Sequence, residues 1–540
     1  MLGNFQSYAE SNSRIGTQGR GSTIEWYAQD NWKIARRLTL DYGMRFSIVV
    51  PYWQADRRAV NFDPLKFDLN KQVTLYLPAL NAQGVRLARN PVTGELVPQV
   101  FIGAMVPGAG DPYNGSVKQD TPGYPVSFVR NRGVQWGPRF GFAYDVFGDG
   151  KTAIRGGGGI FYNARPTGGA IGDLGRNPPS QINPIIYYGN LKTFINSSGV
   201  LFPSGMQVNG PEGDVPNVYN YSFGVQRDIG YQTVADVAYV GSMGRHLFQR
   251  RDLNAIPYGA RFLARNQDPT TGRPLLDAFF RPYVGYANLT YRETASSSNY
   301  HSLQVQMNRR FSKGMQFGGS WTWSKTMTYA DDDGTGVANF VPIRIWNYGK
   351  AGYDRTHNLV LNYLWDLPKA SAYWKNAFAR AAFDNWQLAG IVSMVSGAPA
   401  GIGLGTTDTI DLTGGGDGAR PIRIADAVIS KGERSLTRYF NTEAFARPAV
   451  GNIGNTPRDV YRGPGVNNWD VTVVKQIPVK ERMSFQLRWE MYNAFNHTQF
   501  SGVDNSTRFD PAGRQTNTRF GALISARDPR RMQASLRFQF

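Results

Sequence analysis

An all-β chain, folded as an antiparallel up-and-down transmembrane β-barrel with long extracellular loops and short periplasmic turns, is the class this sequence predicts. Three observations predict it: side chains alternate apolar and polar, the alternating segments last about ten to twelve residues, and the connections between them alternate short and long. Composition removes the main competitors. Of 540 residues only 18% are charged, against roughly 25% in soluble domains, while Gly (61), Tyr (28), Phe (31) and Trp (12) are abundant. That excludes a coiled coil and an ordinary helical enzyme. Mean hydropathy is −0.40, and no stretch approaches the roughly 18 consecutive apolar residues of a membrane-spanning helix.

The segments follow in order. After one centred near residue 28, Leu38, Leu40, Tyr42, Met44, Phe46 and Ile48 alternate with Arg37, Thr39, Asp41, Gly43, Arg45 and Ser47. Period two means strand, with one oily and one polar face. The pattern returns at Pro138, Phe140, Phe142 and Tyr144, near 157, at Tyr219, Tyr221, Phe223 and Val225, and near 236. It continues through Leu303, Val305 and Met307, then Met315, Phe317, Trp321 and Trp323, then Leu359, Leu361, Tyr363 and Trp365. The last members are Trp386, Leu388, Val392 and Met394, a segment near 472, Met483 to Met491, and Met532 to Phe540. About thirteen segments result, with no helical domain between them.

Tight turns are predicted at 34–36, 147–151, 228–231, 311–314 and 478–482, and long polar stretches at roughly 49–132, 163–217, 243–299, 326–354, 397–467 and 497–529. Such a rhythm describes a meander with all its long loops at one end. The one helix-like piece, YWKNAFARAAFD at 373–384, falls at the short-turn end. A soluble sandwich also alternates, but its strands average five or six residues. Eleven residues tilted near 40° rise about 28 Å, the height of an outer-membrane apolar band. Trp26, Trp32, Trp321, Trp323, Trp365, Trp386 and Trp469 sit near segment ends, as interfacial girdles require.

Candidate chemistry is weighed against plainer readings. GDGKT at Gly148–Thr152 resembles the end of a phosphate loop, but Asp145 stands where that motif needs glycine, so a hairpin turn is the reading. Gly156–Gly159 lacks dinucleotide spacing and reads as strand. Asp331, Asp333 and Gly336 occupy three positions of a calcium loop, with Pro342 in place of its final carboxylate. His246, His301, His357 and His497 are scattered, and Cys is absent. Asp41 and Arg45, and Arg488 and Glu490, share polar strand faces and are expected to be lumen-facing ion pairs. No catalytic, cofactor-binding or metal-ligating residue is assigned. A net charge of +19 implies an anionic counterpart. Dispersed cations and aromatics on the oily parity argue against nucleic acid and for lipopolysaccharide phosphates, anionic solutes or merely solvated loops. MLGNFQSYAESNSRIG lacks a secretory signal, so either the chain stays in the cytosol or its start is missing.

Several stretches resemble the Oar-like TonB-dependent receptors of Gram-negative outer membranes: WYAQDNWKIARRLTLDYGMRF at 26–46, GPRFGFAYDVFGDGKTAIRGGGGIFY at 137–162 and NYSFGVQRDIGYQTVADVAYVGSMGRHLFQRRDLN at 220–254. YDRTHNLVLNYLWDLP at 353–368, NWQLAGIVSMVSGAP at 385–399, the run from Arg438 to Val479, and ERMSFQLRWEMYNAFNHTQF at 481–500 continue the resemblance. It implies a barrel of about 22 strands, plugged by an N-terminal domain, that imports a scarce or bulky solute with energy delivered through TonB. On that reading residues 1–22 are a truncated loop or partial strand, and 23–540 are the C-terminal portion of the receptor barrel in the cell outer membrane. The plug that would meet the TonB complex is missing. The solute is unknown, a carbohydrate or peptide oligomer being the family-level expectation; a surface adhesin-like barrel and a passive porin are the alternatives. The terminus QASLRFQF, with Leu536, Phe538 and Phe540 on one parity, resembles the signal read by the barrel insertion machinery. Leu40→Arg is expected to be far more damaging than Thr39→Arg, about 2 to 4 kcal/mol if residue 40 faces the bilayer midplane.

Overall fold

The computed structural model describes residues 3–540 apart from 15, 17, 164–167, 195–198 and 481–482. Parts of the expected opening segment, of the 163–217 connection and of the 478–482 turn therefore lie outside the described residues. One 15-stranded sheet dominates, and its path runs through 13 strands in chain order. These are β1 (Gly19–Ala35), β2 (Leu38–Gln54), β3 (Val134–Asp145), β4 (Thr152–Tyr162), β5 (Asn217–Gly230), β6 (Thr233–Asp252) and β7 (Tyr286–Ser312). The path goes on through β8 (Met315–Thr328), β9 (His357–Asp366), β10 (Trp386–Val395), β11 (Val466–Lys480), β12 (Met483–Tyr492) and β13 (Arg531–Gln539). Each strand pairs antiparallel with the next, as the alternation of short and long connections requires.

Register keeps the oily parity continuous around this wall. Trp26 lies opposite Phe46, and Phe46 opposite Trp136. Val225 faces Val237, which faces Val305, which faces Trp321. Trp365 meets Leu388, Leu388 meets Val473, Val473 meets Trp489, and Leu487 meets Leu536. The apolar face is exposed over much of its length: Trp323 at 53%, Trp489 at 49% and Leu536 at 66% have no protein layer against them. Hydrocarbon is the solvent that suits such a face. Among the described residues β1 pairs only with β2 and β13 only with β12, and both strands are exposed throughout.

Two features depart from the sequence expectations. Strands are not uniformly ten to twelve residues. β6 has 20 and β7 has 27, which at about 3.3 Å per residue carries β7 well beyond a hydrocarbon core of roughly 30 Å. Its outer end is sustained by partners from the connections, including Ser204–Asn209, which pairs with it in parallel.

The second departure is larger, because the long connections are not simply polar. Five hydrophobic clusters among the described residues are built in them. One gathers Ile402, Phe440, Phe445, Tyr461, Phe509 and Phe520 from the 396–465 and 493–530 connections. Another joins Val60 and Phe62 to Met206, Val208, Tyr286 and Leu289. The dry interior of this protein thus sits above the bilayer, while the wall itself has an oily outside and a wet inside. Asn4–Ala9, in the opening segment, pairs with Ile185–Asn190 of the 163–216 connection and not with the large sheet.

A candidate solute site on the polar face of the wall

The polar parity of β1 to β6 forms a concavity of about 720 Å³, bordered by Tyr27, Asp41, Arg45, Arg139, Phe161 and Asn220 among others. A second hollow of about 240 Å³ shares Arg45, Arg139 and Phe161 with it and adds Glu25 and Ser47. Missing side chains open this space. Gly43, Gly141 and Gly157 all fall on the polar parity, and a Cβ on Gly157 would approach the Phe140 carbonyl oxygen to 2.8 Å. Glycine therefore both permits the close strand spacing here and leaves room for a guest.

Charge on this face is organised by pairing. Arg45 Nε donates to Glu25 Oε1 at 3.2 Å and its Nη2 donates to Oε2, while Ser47 Oγ donates to Oε1 at 2.8 Å. The carboxylate is thereby held by three donors, in a fork geometry that arginine provides and lysine does not. Arg139 lays its guanidinium over the Phe161 ring at 4.6 Å, a cation–π contact that fixes a second positive head beside the first.

The sequence candidates fall into place unevenly. Asp41 and Arg45 share the polar face, but they do not pair: Arg45 turns to Glu25 across the hairpin, and Asp41 accepts from Asn31 Nδ2. Arg488 and Glu490 do form an ion pair, extended by Gln533 Nε2 of β13 donating to Glu490. The two charged groups are not brought together, since β1–β2 and β12–β13 are opposite edges of the sheet. Leu536 and Phe538 stand on the oily parity against Leu487 and Phe485, and Phe538 stacks on Phe540 with ring centroids 5.9 Å apart. Glu25, Arg139 and Phe161 were not singled out from sequence. Their only signal was parity, and parity does not give the cross-strand register that sets Glu25 beside Arg45 and Arg139 beside Phe161.

The other motifs resolve into structure. Gly148 and Gly150 are turn residues whose N–H groups donate to Asp145 at 2.9 and 3.0 Å. Asp331 is engaged by Arg458 and by the Gly352 N–H. The histidines stay apart, with His301 against the Tyr239 hydroxyl at 2.7 Å and His357 stacked on Trp321.

The loop tier has its own electrostatic clamps. Arg261 donates to both oxygens of Asp277, at 3.0 and 3.1 Å, and to Asp411 at 2.5 Å. Burial would raise the Asp411 carboxyl, but donation from Arg261 and from the Gly414 and Thr413 N–H groups outweighs it and holds the group below the usual carboxylate range.

No curated protein matches the chain. Among solved structures the chain is similar to the outer membrane transporter YddB from Escherichia coli, at 9% identity and a TM-score of 0.44, over 97% of this chain and 54% of that one. It is also similar to the siderophore receptor PiuA from Acinetobacter baumannii, at 7% identity and a TM-score of 0.41, over 97% and 44%. The chain thus spans about half the length of these structures. Residues 1–533 match the outer membrane beta barrel domain family, to which the chain belongs as an integral protein of the outer membrane.

Proposed function

We propose that this chain is the barrel portion of a TonB-dependent receptor of the Oar-like kind, importing a bulky or scarce solute. The observation that carries the reading is the folded loop tier. A passive porin for small solutes has no use for connections built around their own hydrophobic clusters, whereas a receptor needs a fixed outer surface shaped to one guest. Below it, the polar wall offers Arg45, Arg139, Glu25, Asp41, Tyr27 and Phe161. Hydrogen-bonding charges of both signs beside flat rings suit a carbohydrate or peptide oligomer. A guest held by many contacts leaves slowly, so inward transfer calls for work. In this proposal TonB supplies that work through an N-terminal plug domain. The barrel insertion machinery is the assembly partner through Leu536, Phe538 and Phe540, and lipopolysaccharide phosphates meet the surplus cations. No catalytic step is assigned.

A surface adhesin-like barrel is the second reading, because a folded loop tier would equally serve attachment to matrix or to other cells. Uptake of candidate oligomers by cells expressing the complete protein, with and without the TonB complex, tests the first. Uptake that collapses without the complex supports import. Equal uptake in both strains would sink it, and cell attachment without uptake would favour the adhesin.

A further inference from the structure

Of the turns at the periplasmic end, one is unlike the tight hairpins. The connection from β9 to β10, residues 367–385, holds a 3-10 turn at Ala370–Ala372 and a helix at Ala377–Phe383. Four large aromatics on it face outward: Tyr373 is 81% exposed, Trp374 62%, Phe378 74% and Phe383 50%. Three of them form one patch, with the Phe383 ring 6.5 Å from Trp374 and 6.1 Å from Phe378, and Tyr373 precedes Trp374 in the chain. Water is a poor solvent for such a patch.

Its anchoring shows which way the patch looks. Trp386 Nε1 donates to the Ala382 carbonyl at 2.8 Å, Lys475 Nζ donates to the Ala382 and Asp384 carbonyls, and the Gln476 N–H donates to Asn385. Trp386 and Lys475 are register partners on the oily parity, in line with Leu388 and Val473. The helix is therefore strapped to the lipid side of the wall and not to the lumen. Ile477, exposed on the same parity opposite Phe485, carries the oily face on along β11 toward its turn, and Val479 at the bulge is exposed as well. The patch is continuous with the membrane belt.

Charge completes the pattern. The connection carries Lys369, Lys375 and Arg380, all exposed, and a single acid, Asp384. That acid is buried, and it accepts from the Ser371 N–H at 2.9 Å and the Ser371 hydroxyl. An aromatic patch beside three exposed cations, with the one acid of the connection buried, is the composition of a helix that lies in the headgroup plane.

We infer that residues 369–384 form an interfacial anchor that inserts its aromatics into the periplasmic leaflet and binds anionic phospholipid headgroups through Lys369, Lys375 and Arg380. The anchor would hold the height of the barrel in the bilayer at the one hairpin where the wall gives way to a helix.

The chain has no cysteine, so single labels are unambiguous. Nitroxides at Phe378→Cys and, separately, Phe383→Cys are read in the full chain reconstituted in phosphatidylethanolamine–phosphatidylglycerol vesicles, with a reference label at Tyr231→Cys on a tight turn of the same end. Assembly of each variant is checked by heat-dependent gel mobility. The expected result is high collision with oxygen and a several-fold lower collision with a water-soluble nickel chelate at both sites than at residue 231. Nickel access equal to that at residue 231 would overturn the proposal by placing the patch in water. Exclusion of both reagents would overturn it by placing the patch under protein. Combining K375Q and R380Q should weaken the shielding in these vesicles and leave it unchanged in phosphatidylcholine, and shielding unaffected by lipid charge would remove the headgroup contact from the proposal.

Discussion

Met44 and its neighbours show how much a single side chain's direction decides. Leu40 lies opposite Trp32, close to the short-turn girdle, whereas Met44 lies opposite Ala28, between Trp32 and Trp26. Arginine costs about 2 to 4 kcal/mol at a bilayer midplane and about 0 to 1 near an interface. Met44→Arg is therefore expected to lose about 2 to 4 kcal/mol in refolding titrations in lipid, with Leu40→Arg nearer 1 and Thr39→Arg least. The larger loss expected of Leu40 from sequence assumed a depth that periodicity alone does not provide. Equal losses at 39 and 44 would refute the face assignment. At the other end, Phe540 is 90% exposed and touches the sheet mainly through Phe538. Deleting it should leave a folded barrel's stability nearly unchanged while reducing its assembly in cells, read by membrane fractionation. Unchanged assembly would count against a terminal signal.

Bulges act at the scale of the hairpin. Between Trp32 and Ala35, β1 carries one residue more than the facing stretch of β2, and the register shifts accordingly. The same surplus occurs before the turn in β5, β7 and β11. A two-residue turn alone would set Trp26 opposite Ser47 and turn the oily face of β1 inward. The extra residue restores Trp26 to Phe46, because a one-residue slip exchanges the faces of a strand. Deleting Lys33 should accordingly be tolerated, because Trp32, Ile34 and Ala35 would then face Leu40, Thr39 and Leu38 without a bulge and Trp26 would stay opposite Phe46, whereas deleting Gln29 in mid-strand, which exchanges the faces of the residues before it, should abolish assembly, judged by loss of heat-dependent gel mobility. This explains the limits of the sequence reading. Parity within a strand was legible, and with it the Arg488–Glu490 pair. The Arg45–Glu25 pair was not, since it depends on register across a bulged hairpin.

The loop tier has a pH dependence of its own. Asp411, and Asp268 beside Arg86 and Thr270, are both held below the ordinary carboxylate range; burial opposes this in each and their hydrogen-bond donors prevail. Their contribution is present above the unfolded pKa and is lost as pH falls through the lower, folded value. Below about pH 4 the tier should loosen and limited proteolysis of the loops should accelerate, while the wall stays protected. A protease pattern unchanged between neutral and acid pH would contradict it.

For the molecule as a whole, the order of thirteen strands was legible because period two, strand length and connection length agree independently. The loop clusters were not, because their contacts join residues far apart in the chain without any period: Phe62 packs with Met206 and Tyr286. What results is a protein with its dry core outside the membrane and an oily surface within it. Single cysteines placed along Thr39–Ser47, each carrying a fluorophore in vesicles with brominated acyl chains, test that arrangement most directly. Strong quenching at Leu40, Tyr42, Met44 and Phe46 but not at Thr39, Asp41, Gly43, Arg45 and Ser47, with water-soluble quenchers giving the reverse, is the predicted result. Equal quenching by bromine at both parities, or none at either, would contradict it.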